Sequence, residues 1–136
     1  MYINLFFQTI FLTNILSNSD IISFHCKPNK DGSSIITKDE LIIMKKNCIL
    51  VNTARGGLIN ETDLIQALKN NVIKGAALDV FKKEPLEESE LFNLENIILT
   101  PHIAASTDEA QIVVAEMVAN QFCEYFNNNN ILNSIT

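Results

Sequence analysis

The sequence has 136 residues, one small domain's worth of polypeptide, of which 47% are hydrophobic and 19% charged. That is enough apolar surface for a core, which excludes a disordered tail, collagen and low-complexity classes. A net charge of -6 and a sequence pI near 4.8 repel a phosphate backbone, and no basic stripe overrides the total, so no nucleic-acid partner is expected. The scarcest polar side chains are the single arginine, Arg55, and the two histidines, His25 and His102.

Residues 1–16 are apolar but lack a basic opening and a small-residue cleavage site. Asn4, Gln8, Thr9, Thr13 and Asn14 interrupt them short of a membrane span, so buried structure is expected rather than secretion or a membrane anchor. Beyond them, short β-like runs alternate with helical runs, the pattern of parallel strands joined by helical crossovers in an α/β sheet. Asp20–His25 is the first expected strand. Thr37-Lys-Asp-Glu40 is a capping box opening a helix that ends near Lys45. Asn47–Thr53 is nearly continuous in apolar residues, as in a strand covered on both faces. Gly56 and Gly57 break the regularity, and Asn60 is the expected N-cap of a helix through about Lys69, with Leu64, Ile65 and Leu68 on its apolar face.

Ile73–Val80 and Asn96–Thr100 are the third and fourth expected strands. The carboxylate-rich segment between them, residues 82–95, reads as a solvated loop. A last helix is expected from the capping box Ser106-Thr-Asp-Glu109 to about Phe126, with Val113, Val114, Met117, Val118 and Phe122 as a broad apolar stripe. Residues 127–136 read as a flexible Asn-rich tail. Cys26, Cys48 and Cys123 lie far apart, with no CxxC pair and no metal-ligand spacing. They are expected as reduced thiols, packed as small hydrophobes in a cytoplasmic protein.

In an open parallel sheet, ligands bind outside the carboxyl ends of the strands. His25 follows the first expected strand, Thr53-Ala-Arg-Gly-Gly57 the second, Asp79 ends the third, and Pro101-His102 follows the fourth. Four separate strands therefore bring both histidines and the only arginine to one edge. A guanidinium on a Gly-flanked turn suits an anionic substrate, since it offers two parallel N–H donors to a carboxylate. A histidine held by a carboxylate can pass a proton near neutral pH. Together these suit oxidation or reduction of a hydroxy acid. Residue chemistry leaves the histidine's partner open between Glu84 and Asp79. Nucleophilic hydrolysis is disfavoured, because no serine sits in a GxSxG-like elbow.

The segments Ser19-Asp-Ile-Ile-Ser-Phe-His25, Met44-Lys, Leu50-Val-Asn-Thr-Ala-Arg-Gly-Gly57, Gly75-Ala-Ala-Leu-Asp-Val-Phe81, Glu84-Pro, Leu99-Thr-Pro-His-Ile103 and Ala105-Ser-Thr resemble the D-isomer-specific 2-hydroxyacid dehydrogenases, most closely the D-3-phosphoglycerate dehydrogenase branch. The resemblance covers roughly residues 10–126 as an ordered set of motifs. It implies that residues 1–126 are the C-terminal portion of an NAD-binding domain. The implied fold is part of a Rossmann-like, doubly wound parallel sheet, lacking the N-terminal half that carries GxGxxG.

By that resemblance Arg55 binds the substrate carboxylate, His102 gives or takes the hydroxyl proton as hydride moves to or from nicotinamide, and Glu84 pairs with the histidine. Asp79, Thr53 and Ala54 match positions near the nicotinamide, His25 matches one on the cofactor's other side, and Ala104 and Ala105 match small residues that let backbone approach the ring. The implied cofactor is NAD and the implied substrate a small 2-hydroxy or 2-oxo acid; residue spacing leads to no metal being expected, and the apolar last helix and acidic surface permit a homodimer.

The family pattern is not complete. None of the four glycines, Gly32, Gly56, Gly57 and Gly75, can build a GxGxxG, so NAD binding by these residues alone is expected to be impaired. After His25 the family pattern has proline two residues on and threonine seven on. Here those positions hold Lys27 and Gly32. A catalytically inactive fragment, or a protein-interaction module derived from the NAD-binding family, is the alternative expectation.

Overall fold

The computed structural model describes residues 5–133. The chain divides into two compact units, one ending at His102 and one running from Ile103. The first unit holds α1 (Leu5–Asn18), β1 (Ile21–Phe24), α2 (Lys38–Ile43), β2 (Ile49–Asn52), α3 (Glu61–Lys69), β3 (Gly75–Leu78), a 3-10 turn (Glu90–Asn93) and β4 (Ile97–Leu99). The second holds α4 (Asp108–Asn128).

The strands form one parallel sheet in the order β1-β2-β3-β4. In register, Ile22, Leu50, Ala76 and Ile97 lie side by side, followed two residues on by Phe24, Asn52, Leu78 and Leu99. Alternation along a strand puts these two rows on one face. On β1, β2 and β3 that face is buried, whereas the residues between alternate to a more open face that includes Ile21 and Ile98, 65% and 67% exposed. The apolar run of β2 does not by itself require cover on both faces, since Ile49 and Val51 are only half-buried. Leu16 from α1, Leu41 from α2 and Leu64 and Leu68 from α3 join Leu50 and Leu78 in one core cluster. By area, each such buried leucine contributes about 1.5–3 kcal/mol. From Leu5 the N-terminal stretch is thus a helix whose end is built into the core, with Leu12 and Ile15 packed against it; the part of that expectation on residues 1–4 lies outside the described residues.

Local chemistry explains the helix starts. The Glu40 carboxylate accepts from the Thr37 backbone N–H at 2.9 Å and from its hydroxyl at 2.6 Å. Partial burial raises the Glu40 pKa, but these hydrogen bonds outweigh it and leave the carboxyl below its usual range. Asn60 caps α3, its side chain accepting from Asp63 N. Three features differ from the sequence expectation. The cap of α4 is Thr107, one residue later than expected, accepting from Ala110 N at 3.1 Å. The helix runs to Asn128 and closes on Asn129 in the left-handed conformation, so the first two asparagines of the tail are helical. The acidic segment contains a 3-10 turn that buries Leu91 completely, with Leu86 and Leu94 packed against the core beside it, so its apolar residues pin the loop despite the carboxylates between them.

Only Cys48 packs as a small hydrophobe; Cys26 and Cys123 are exposed. Burial pushes the Cys48 thiol up, aided by the nearby Asp20 charge.

Candidate active site

The turn after β2 carries Thr53, Ala54 and Arg55, and its shape is set by a residue that sequence reasoning passed over. Asn52 is 2% exposed; its Nδ2 donates to the Arg55 carbonyl at 3.0 Å and its Oδ1 accepts from Ala54 N at 3.1 Å. A buried amide at a strand's last position, next to a turn rather than mid-sheet, was the available signal. Both halves of the amide are spent on the turn, so the backbone under Arg55 is fixed. Arg55 itself is exposed, and its Nη1 donates to the Ala54 carbonyl at 2.7 Å.

Two glycines let this turn dock. Gly57 has φ 83°, a conformation that L side chains rarely adopt. At Gly56 an added Cβ would lie 1.8 Å from the Phe81 carbonyl oxygen. The β2 turn therefore packs directly on backbone that follows β3. From that same residue, Phe81 N donates to Glu84 Oε1 at 2.8 Å, and Glu84 Oε2 lies 2.6 Å from His102 Nδ1. Contacts thus run without interruption from the Arg55 turn through Phe81 to the histidine.

His102 follows β4 with φ 54°, an uncommon conformation for a residue with a Cβ, and its backbone N donates to the Thr100 carbonyl at 3.1 Å. Such outliers persist where surrounding structure over-determines them. An ionised carboxylate only accepts, so the proton on this side of the ring sits on Nδ1. That leaves Nε2 as the nitrogen able to exchange a proton with a ligand. The hydrogen bond from His102 holds the Glu84 carboxyl below its usual range, with the Phe81 amide acting in the same sense. Of the two carboxylates left open by residue chemistry, Glu84 is the one in contact with His102. Asp79 is 3% exposed and accepts from the Thr100 hydroxyl at 2.5 Å.

His102 and Glu84 line a cavity of about 460 Å³ with Phe81, Leu86, Phe92 and Leu99 among its walls. Arg55 lines a different cavity, of about 310 Å³, with His25, Cys26, Lys27, Thr53 and Ala54. One strand, β3, separates β2 from β4, and at about 4.8 Å per strand the Arg55 and His102 turns begin roughly 10 Å apart. Ala104 and Ala105 are exposed in the second unit, where the Ala105 carbonyl accepts from Gln111 Nε2 at 2.8 Å. A guanidinium, a carboxylate-held imidazole and a buried carboxylate on one sheet edge can orient an anion and move a proton. They fit the nicotinamide end of a dinucleotide site, whereas the sequence offers no glycine cradle for a diphosphate.

A parallel sheet with polar and charged groups gathered at its strand ends is the arrangement of a nucleotide-binding α/β domain, and the comparisons with known proteins narrow it. Residues 4–104 match the D-isomer specific 2-hydroxyacid dehydrogenase family, NAD binding domain; the chain belongs to that family. It is 47% identical over 105 residues to a glyoxylate reductase of Thermococcus litoralis and 44% identical over 110 residues to a D-3-phosphoglycerate dehydrogenase of Methanocaldococcus jannaschii. These matches cover 77% and 81% of this chain but only 32% and 21% of the relatives, so the chain spans a third or less of their length. Among solved structures, a glyoxylate reductase from Paecilomyes thermophila superposes with a TM-score of 0.84 at 33% identity, over 91% of this chain and 38% of that one. A D-lactate dehydrogenase with NAD+ from Lactobacillus jensenii gives 0.75 at 28% identity, over 85% of this chain and 39% of that one.

Proposed function

We propose that this chain carries the substrate-orienting and proton-transfer residues of an NAD-dependent oxidoreductase acting on the CH–OH group of a D-2-hydroxy acid, or on the matching 2-oxo acid. The observation that carries this reading is the Phe81–Glu84–His102 relay standing on the same sheet edge as Arg55. In it, Arg55 receives the substrate carboxylate on its paired N–H donors, which places the neighbouring carbon. His102 Nε2 gives a proton to the substrate oxygen during reduction and takes it back during oxidation. Glu84, fixed by the Phe81 amide, keeps the ring in the required tautomer and stabilises its protonated form. Thr53, Ala54 and Asp79 face the nicotinamide end of the cofactor, which when bound supplies or accepts the hydride. His25 stands towards its other end. The diphosphate cradle is not among these 136 residues, so NAD binding by them alone is impaired. A cytoplasmic setting and a homodimer complete the proposal, supported by the free cysteines and by the exposed apolar stripe of α4.

A chimera in which residues 4–104 replace the matching segment of the Thermococcus litoralis glyoxylate reductase tests the reading. Arg55→Ala in that chimera is expected to raise KM for the 2-oxo acid roughly tenfold to a hundredfold, the loss of one or two charge-assisted hydrogen bonds. An unchanged KM would reject Arg55 as the carboxylate-binding residue.

A further inference from the structure

Between the carboxylate that follows β3 and the imidazole that follows β4 stands Thr100, and its backbone N–H, hydroxyl and carbonyl are all engaged. The N–H donates to the Leu78 carbonyl at 3.0 Å, which carries the ladder between β3 and β4 one step past the paired residues Leu78 and Leu99. The hydroxyl donates to Asp79 Oδ1 at 2.5 Å, and the carbonyl accepts from His102 N at 3.1 Å. Register accounts for the first two contacts: Leu78 lies beside Leu99, so the residues that follow them, Asp79 and Thr100, leave the sheet side by side. The last contact closes a tight turn across Pro101, and that turn ends in the left-handed backbone of His102, φ 54°.

The sheet requires only the backbone of Thr100. Valine has the same branched shape and suits a strand equally well, so the hydroxyl is surplus to the ladder, and what it holds is a carboxyl only 3% exposed. The proposed reaction places hydride on a carbon and a proton on the oxygen bonded to it. The carboxylate facing the nicotinamide end and the imidazole carrying the proton must therefore keep one separation, and a misplacement of about 1 Å can cost on the order of a hundredfold in rate. Past the last ladder bond the ends of β3 and β4 are joined through Thr100, by its hydroxyl on one side and its carbonyl on the other. We propose that Thr100 is a positioning residue for coupled hydride and proton transfer, in which the hydroxyl fixes Asp79 and the carbonyl fixes the His102 turn against it. The inference rests on the proposed function in taking Asp79 as cofactor-facing and His102 as the proton carrier. It goes beyond that reading by assigning a role to a residue that touches neither cofactor nor substrate.

The test is steady-state turnover together with fluorescence titration of NADH, in the chimera carrying residues 4–104. Thr100→Val keeps the shape and removes the donor. It is expected to weaken NADH binding and to lower kcat, each roughly tenfold, while KM for the 2-oxo acid stays within about twofold because Arg55 is untouched. Thr100→Ser keeps the donor and is expected to hold both quantities within about threefold of the unsubstituted chimera. The paired loss is the signature, since removing the imidazole itself lowers kcat alone. Where the valine variant does not fold, Thr100→Ala against Thr100→Ser makes the same comparison of no hydroxyl with hydroxyl. Unchanged values in Thr100→Val, a loss confined to one of the two quantities, an equal rise in KM for the 2-oxo acid, or losses that serine does not restore would overturn the proposal. If His102→Ala still lowers kcat in that event, the proton-transfer reading stands and only the role of Thr100 falls; if His102→Ala is silent as well, the reading beneath it fails.

Discussion

Glu84 stands between two donors, the Phe81 amide and His102 Nδ1, and both favour its charged form. Its pKa is lowered in the folded chain from an ordinary value of 4.5. The sign follows from linkage: the unfolded chain binds the proton first as pH falls, so the carboxylate's contribution to stability is complete above the ordinary value and is lost as pH drops through the lowered one. Urea unfolding of the native chain and Glu84→Gln should therefore differ most near neutrality, with the native chain more stable. The gap should close on acidification below the ordinary carboxylate range. A gap independent of pH would show that the Glu84 charge plays no part in holding His102.

Of the four glycines, Gly56 in the turn after β2 makes the tightest approach to its neighbours. Gly56 packs on the Phe81 carbonyl with no room for a methyl group, and Phe81 is backbone that cannot swing aside without disturbing Glu84. Gly56→Ala is expected to cost roughly 1–3 kcal/mol, the usual range for overpacking, read as a lower urea midpoint with an unchanged slope. An unchanged midpoint would mean that the turn relaxes freely and does not couple Arg55 to Glu84. Local chemistry is legible in the sequence at this scale, and contacts made over distance are not. Thr37, Glu40 and Asn60 announce their helices because capping is local chemistry, and the four strands are visible as apolar runs. The left-handed backbone of His102 and the burial of Leu91 depend on contacts between segments, which no window of sequence contains, whereas the Asn52 side chain bonds within three residues of itself and only its burial is unwritten in the sequence.

For the whole molecule, four strands that run in one order away from β1 leave β1 as an edge and one sheet face more open, with Ile21 and Ile98 exposed. In the second unit, α4 carries no buried residue and exposes Val113, Val114, Met117, Val118 and Phe122. Among the described residues no helix is long and apolar enough to cross a membrane. Contiguous exposed apolar faces of this kind mark interaction surfaces. The site on the sheet edge is assembled from this chain's own backbone, with His102, Glu84 and Phe81 in direct contact. Turnover of the chimera carrying residues 4–104, with His102→Ala as the only further change, tests that assignment most directly. The account predicts that kcat falls about 10²–10⁴-fold, the usual worth of general acid–base catalysis, while affinity for NADH is unchanged. A chimera that turns over equally well without the imidazole would contradict it.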